Sequence, residues 1–182
     1  MSKKDEIETD ERRRMNRGDN ANEIIPRLWL GNSKSSIDDE FIRKNNITVV
    51  FNCTKNLPFS PMIPIKFRVP VDDNLQEEEI RNMELWSGEI AFQIIKYYME
   101  GKIILVHCAA GMQRSAASVA FMLIAYLKMR GLEAMEYIKE RRPIAFYPKA
   151  NFGRSIDYFD RRFHSEILPE MKKLPTSHPK HF

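Results

Sequence analysis

The stretch Lys102–Ala117, KIILVHCAAGMQRSAA, decides the fold and carries the chemistry of this chain. It opens with an apolar run that is typical of a buried strand, and a helical pattern follows its end. Cys108 and Arg114 lie on the turn between the two, separated by five residues. This order predicts a strand, then an anion-binding loop, then the N-terminus of a helix.

The residue types of the loop suit a thiolate that attacks phosphorus. A free thiol with a pKa near 8.5 is mostly protonated at neutral pH, but inward backbone N–H groups and a helix dipole stabilise the thiolate. Arg114 offers a planar fork that binds two phosphate oxygens. Gly111 permits the backbone angles that such a loop requires. Ser115 places a hydroxyl near the sulfur of Cys108, and His107 can orient the loop through hydrogen bonds.

The alternative for Cys108 is a small buried side chain without chemistry, which is the commoner use of a cysteine after a strand. Core packing does not require His, Cys, Gly, Arg and Ser at these offsets. The combination therefore favours a nucleophile, Cys108, over a packing residue.

Apolar runs and helical spacing alternate along the middle of the chain. Apolar residues recur at helical spacing from Trp86 to Tyr98, and Gly101 can end that helix. The alternation predicts one α/β domain with a central sheet flanked by helices, and a ligand site at the carboxyl end of a strand. The predicted strands are Leu28–Leu30, Ile47–Cys53, Ile65–Val69 and Ile103–Val106.

The loop sequence HCAAGMQRS resembles the HCxxGxxRS loop of cysteine-dependent protein phosphatases, and the chain is similar to their compact dual-specificity branch. Further segments that resemble the family are IPRLWLG (Ile25–Gly31), ITVVFNC (Ile47–Cys53), VPVDDN (Val69–Asn74), AYL (Ala125–Leu127), AMEYIKERRP (Ala134–Pro143) and Asn151-Phe152. The resemblance implies a tyrosine-phosphatase-like fold with a mixed, mostly parallel sheet. It also implies a phosphocysteine intermediate.

The resemblance further implies an aspartic acid that protonates the leaving oxygen and then activates water. Asp73 is favoured because the family places its acid directly before a polar residue such as Asn74. Asp72 stays open as the alternative, and the ordinary reading of an Asp pair is a turn or helix cap.

The resemblance also implies which groups bind the phosphate. No metal or other cofactor is expected, since the arginine and the loop amides supply the positive charge. The phosphate-binding residues implied are Ala109, Ala110, Gly111, Met112, Gln113 and Arg114.

The substrate class rests on weaker signals. The loop interior lacks the lysines of phosphoinositide phosphatases, and Asn56–Pro64 does not match the phosphotyrosine-recognition loop of the larger tyrosine-specific enzymes. A shallow site for phosphotyrosine and phosphoserine or phosphothreonine in a phosphoprotein is expected. An RNA 5′-phosphatase, weakly favoured by the pI of about 9.0, and a pseudophosphatase that binds phosphoproteins without turnover remain alternatives.

Composition agrees with one domain in 182 residues, of which 43% are hydrophobic. We expect residues 1–22 to form a charged arm, residues 23–168 the catalytic domain and residues 169–182 a flexible tail. We expect an intracellular protein, cytoplasmic or nuclear, without a membrane partner; a phosphoprotein is the favoured partner and a nucleic acid stays open as the alternative. The arm is a candidate homodimer contact. The cysteines Cys53 and Cys108 suit a reducing compartment, and Cys53 is either a buried structural thiol or a redox partner of Cys108.

Overall fold

A computed structural model describes residues 18–175 of the chain. The strands are β1 (Ala21–Ile25), β2 (Leu28–Gly31), β3 (Val49–Asn52), β4 (Ile65–Arg68) and β5 (Ile104–His107). The helices are α1 (Ser33–Ser36), α2 (Asp39–Lys44), α3 (Glu77–Met99), α4 (Arg114–Leu127), α5 (Gly131–Arg141), α6 (Gly153–Arg162) and α7 (Leu168–Lys173), with a π-helical turn, Phe163–Ile167, between the last two.

The five strands form one sheet in the order β1-β2-β5-β3-β4. Only the β1–β2 pair within the described chain is antiparallel, and the other three pairs are parallel. Strand β5 is central and all of its residues are buried, as expected for a parallel strand covered on both faces. The predicted α/β class with a mixed, mostly parallel sheet is therefore confirmed.

Side chains of successive strand residues enter two separate cores. Phe51 and Val106 face the larger core, which helices α3, α4 and α6 cover. Val50 and Leu105 face a smaller core on the other side of the sheet, together with Ile42 of α2. Helix α4 lies deep in the larger core, with eleven buried residues from Ser115 to Ala125. Its N-terminus is thereby fixed directly after β5.

Both ends of the predicted domain need correction. The boundary at residue 22 runs through β1, because β1 pairs with β2 from Ala21 onwards and buries Ile24 and Ile25. The tail predicted from residue 169 begins inside helix α7, whose first turn accommodates Pro169 and whose Leu168 packs against the core. Residues 1–17, which carry most of the predicted arm and its dimer contact, lie outside the described residues.

No single helix in residues 18–175 is long and apolar enough to cross a membrane. Helices α4 and α5 reach the required length and composition only when joined, and they meet at a bend of 120°.

Candidate active site

The loop between β5 and α4 has the position that the sequence predicts. His107 is the last residue of β5, and Arg114 is the first residue of α4. Cys108 follows the strand and its side chain is 2% exposed. The six residues from Cys108 to Gln113 thus turn the chain from the carboxyl end of a buried strand into the N-terminus of a buried helix.

The carbonyl groups at both ends of the loop accept hydrogen bonds from residues outside it. The Ser33 N–H donates to Ala109 O (3.0 Å), and the Phe146 N–H donates to Met112 O (2.8 Å). A peptide group is planar and its N–H points opposite to its C=O. Carbonyls that point away from the loop centre therefore turn the following N–H groups towards it.

The middle of the loop is held by a buried arginine that the sequence did not identify as functional. Arg142 Nε donates to Gly111 O (2.8 Å), and its Nη2 donates to Ala110 O (3.4 Å). Arg142 Nη1 bonds Asp19 O (3.1 Å) and Asn22 Oδ1 (2.8 Å) on the segment around the start of β1. Burial lowers the pKa of Arg142 to about 10, which still leaves the guanidinium charged at neutral pH.

Gly111 is required because its backbone lies against the end of β2. It has a φ of +67°, and a Cβ there would lie 2.5 Å from Gly31 O and 2.7 Å from Arg142 Nη2. A side chain would therefore push the loop away from both neighbours.

The thiol of Cys108 lies in an environment that stabilises its anion. Burial acts to raise the pKa of this thiol, but the Ser115 hydroxyl, the backbone N–H groups of Ser115 and Gly111 and the charge of Arg114 outweigh it, so the pKa lies below its ordinary value. Ser115 Oγ is 3.1 Å from Cys108 Sγ. These contacts favour the thiolate, which is the form of cysteine that reacts as a nucleophile.

His107 supports the loop from the strand side. Its Nδ1 lies 3.2 Å from Cys108 O, which makes Nδ1 the protonated nitrogen of a neutral ring. Burial lowers the pKa of His107 to about 4. His107 is therefore a neutral hydrogen-bond donor to the loop at physiological pH.

Arg114 connects the loop to the segment that carries the aspartate pair. Its Nη1 donates to Val71 O over 3.1 Å. The buried Arg114 Nε has no hydrogen-bond partner among residues 18–175. A buried guanidinium N–H without a partner is costly, and an oxyanion bound beside the thiol would satisfy it.

Asp72 and Asp73 have different surroundings. Asp72 Oδ2 is 3.2 Å from Lys55 Nζ, and its backbone N–H donates to Glu79 Oε2 (2.9 Å). Asp73 Oδ1 instead accepts a hydrogen bond from Asn151 Nδ2 over 2.9 Å. The carboxylate of Asp72 is therefore engaged in an ion pair, and Asp73 is the one linked to the loop that follows α5.

Gln113 has a role that its place in the loop did not suggest. It is 6% exposed, and its Nε2 donates to Tyr147 O (3.1 Å) and Lys149 O (2.9 Å). Its Oε1 accepts from the Asn151 N–H (2.9 Å). The side chain thus binds the backbone of residues 147–151, whereas a phosphate role would use its main chain. A lone glutamine gives no sequence signal for this contact.

Cys53 is a register neighbour of the proposed nucleophile. Its N–H donates to His107 O (2.8 Å), one residue beyond the β3–β5 pair Asn52–His107. Its Sγ is 3.3 Å from Ser118 Oγ, and burial raises the pKa of Cys53 to about 12. Cys53 is therefore a neutral thiol beside the catalytic strand.

Over residues 18–175, no group of three or more His, Cys, Asp or Glu side chains could hold a metal ion. His178 and His181 lie outside the described residues.

Comparison with known proteins agrees with the resemblance seen in the sequence. The family model "Dual specificity phosphatase, catalytic domain" matches residues 28–162. The tyrosine-protein phosphatase vhp-1 of Caenorhabditis elegans is 32% identical over 146 residues, covering 78% of this chain and 21% of that protein. Human dual specificity protein phosphatase 16 is 32% identical over 138 residues, covering 74% of this chain and 20% of that protein. The chain thus spans about a fifth of the length of these curated relatives.

Solved structures share the fold at lower identity. Human DUSP28 superposes with a TM-score of 0.69 at 21% identity, covering 81% of this chain and 97% of that one. PTPMT1 in complex with PI(5)P gives a TM-score of 0.66 at 19% identity, covering 82% of this chain and 99% of that one.

Proposed function

Because the chain belongs to the dual specificity phosphatase family, we propose that it is a protein phosphatase that hydrolyses phosphotyrosine and phosphoserine or phosphothreonine through a phosphocysteine intermediate. One observation carries the proposal. The carbonyls of Ala109, Ala110, Gly111 and Met112 all bond outside the loop, so the intervening N–H groups face the side of the buried Cys108 thiol. Such a nest of amides beside a thiolate binds a phosphoryl group.

The first step transfers the phosphoryl group to sulfur. Cys108 Sγ forms a bond to phosphorus while the bond from phosphorus to the substrate oxygen breaks. Arg114 and the loop amides bind the non-bridging oxygens and stabilise the charge that develops on them. Asp73 gives a proton to the departing oxygen, so the alcohol or phenol leaves neutral.

The second step releases phosphate. Asp73, now a carboxylate, takes a proton from water, whose oxygen attacks phosphorus as the bond to Cys108 breaks. The sulfur leaves as a thiolate, and the Ser115 hydroxyl at 3.1 Å stabilises that charge. The enzyme returns to its starting state without a cofactor in either step.

The choice of substrate rests on the side chains of the loop. Ala109 and Ala110 are exposed and uncharged, and Gln113 turns to the backbone of residues 147–151. The loop therefore offers its arginine and its amides, which suits a single phosphomonoester better than a multiply phosphorylated head group.

The nucleophile is tested with Cys108→Ser on phosphotyrosyl and phosphothreonyl peptides. Turnover should vanish while phosphopeptide binding persists, and continued turnover would refute the assignment. Triphosphate-ended RNA serves as the competing substrate. Faster phosphate release from RNA than from the peptides would favour an RNA 5′-phosphatase. No turnover of any substrate, an aryl phosphate included, would indicate a pseudophosphatase.

The acid is tested by comparing Asp73→Ala with Asp72→Ala. Asp73→Ala should slow hydrolysis of phosphothreonine about 10² to 10⁴-fold. Asp72→Ala is the matched control, since its carboxylate pairs with Lys55. If Asp72→Ala slows the hydrolysis and Asp73→Ala does not, Asp72 is the acid in place of Asp73.

A further inference from the structure

We infer that Asn151 is a positioning residue that fixes the carboxylate of the catalytic acid Asp73 relative to the phosphate-binding loop. The inference rests on the proposed function, in which Asp73 is the acid. Asn151 Nδ2 donates to Asp73 Oδ1 over 2.9 Å, across 78 positions of sequence. Among residues 18–175, Asn151 is the one residue that hydrogen-bonds the Asp73 carboxylate.

Asp73 needs such a partner because its own segment supports it weakly. It follows β4 in irregular chain and is exposed. The segment is anchored upstream, where Val71 O accepts from Arg114 and the Asp72 N–H donates to Glu79. These bonds fix the backbone before Asp73 and leave the carboxylate free to rotate. The amide of Asn151 restricts that rotation.

The position of Asn151 is in turn set by the phosphate-binding loop. Its backbone N–H donates to Gln113 Oε1 over 2.9 Å. The Gln113 Nε2 uses its hydrogens on Tyr147 O and Lys149 O, so the carboxamide has partners at both ends. Because Gln113 directly precedes Arg114 in the chain, two hydrogen bonds, Asn151 N–H to Gln113 and Asn151 Nδ2 to Asp73, connect the residue beside the phosphate-binding arginine to the acid.

The hydrogen bond also distinguishes the two oxygens of the carboxyl group. Oδ1 accepts from Asn151, so a proton carried by Asp73 sits on Oδ2. The oxygen that donates to the leaving group is thereby selected, and the same oxygen accepts a proton from water in the second step. Asn151 does not touch the reacting atoms in this arrangement. It acts through Asp73.

The test exploits the dependence of acid catalysis on the leaving group. A threonine alkoxide requires protonation, whereas an activated aryl oxide leaves without it. Asn151→Ala should lower kcat/KM about 10- to 100-fold on a phosphothreonyl peptide, because a misplaced catalytic group loses rate on that scale. It should change kcat/KM less than about 3-fold on a nitrophenyl phosphate, because kcat/KM reports the first step and a nitrophenolate leaves with little help from the acid.

A second variant separates positioning from packing. Asn151→Asp keeps the shape and the backbone N–H to Gln113, but replaces the donor with a carboxylate. It should lose at least as much activity on the phosphothreonyl peptide as Asn151→Ala. Arg154→Ala is the matched control, because Arg154 makes an exposed ion pair with Glu77 (2.7 Å) at the start of α6. Arg154→Ala should leave kcat/KM unchanged on both substrates.

The outcomes distinguish the inference from the proposed function. In an Asp73→Ala background, Asn151→Ala should have no further effect, since the two residues act as one unit. Equal losses on both substrates, or no loss on the phosphothreonyl peptide, would overturn the positioning role while Asp73 remains the acid. If Asp73→Ala itself leaves the phosphothreonyl rate unchanged, the proposed acid fails and the inference fails with it.

Discussion

The hydroxyl of Ser115 is expected to stabilise the thiolate of Cys108, so removing it should raise the pH at which the thiol ionises. Ser115 Oγ is 3.1 Å from Cys108 Sγ in a buried site. A hydrogen bond to a charged group contributes about 1.5 to 3 kcal/mol. Since 1.36 kcal/mol corresponds to one pH unit, Ser115→Ala should move the midpoint of thiol ionisation upward by about 1 to 2 pH units.

The assay is the pH dependence of Cys108 alkylation by iodoacetamide, read by mass spectrometry of the modified peptide. Only the thiolate reacts, so alkylation rises with pH to a plateau above the thiol pKa. At a pH below both midpoints, Ser115→Ala should react about 10- to 100-fold more slowly, and at the plateau it should match the unmodified protein. The phosphocysteine of the Ser115→Ala variant should also persist longer, because without the hydroxyl the thiolate is a poorer leaving group.

Ser118→Ala provides the matched control. Ser118 lies one turn further along α4, and its Oγ faces Cys53 at 3.3 Å. This variant loses a buried hydroxyl from the same helix without touching Cys108. An unchanged midpoint in Ser115→Ala, or the same displacement in Ser118→Ala, would refute the role assigned to the Ser115 hydroxyl.

Three further predictions concern groups around the loop. Burial lowers the pKa of His107 from 6.5 to about 4, so between these pH values the histidine is protonated in the unfolded chain but not in the folded one. The free energy of unfolding should therefore fall as the pH drops through this range, by up to about 3 kcal/mol. In urea titrations, His107→Gln should lose this pH dependence, and an unchanged pH dependence would exclude His107 as its source. Arg142→Met should destabilise the fold by about 2 to 4 kcal/mol in urea unfolding, because Gly111 O loses its buried donor. Arg142→Lys should not restore this stability, since one ammonium group cannot replace the planar guanidinium. Full stability of Arg142→Lys would contradict the role of the guanidinium. Peroxide should convert the Cys108 thiolate to a sulfenic acid and leave Cys53 reduced, because burial raises the pKa of Cys53 to about 12 and only a thiolate attacks a sulfenic acid. Peptide mass mapping reads the oxidation state of both cysteines, and a Cys53–Cys108 disulfide would contradict the structural role of Cys53.

The strand, loop and helix around Cys108 were predictable because their signal is local. A cysteine, a glycine, an arginine and a serine lie within eight residues, between an apolar strand and an apolar helix. The parallel sheet was predictable for the same reason, since fully buried strands such as β3 and β5 read as continuous apolar runs.

The supports of the loop were not predictable, because they join distant positions. Arg142 and Asn151 stood within segments that resemble the family, yet nothing near them in sequence indicates what they contact. Strand β1 was missed because two of its five residues are polar and it pairs on one side only, at the edge of the sheet. Helix α7 was missed because its proline and charges resemble a tail until Leu168 packs against the core.

The contacts of Arg142 also determine when the site is completed during synthesis. Its guanidinium bonds both Gly111 O and Asp19 O, and Asp19 lies 123 positions before Arg142. Closing so large a loop costs more chain entropy than forming a local helix, and contacts of this sequence separation slow folding. On the ribosome, Cys108 emerges well before Arg142. A nascent chain therefore exposes its nucleophile before the carbonyls of the loop have their partner, and it gains a competent site only after α5 has been made and docked.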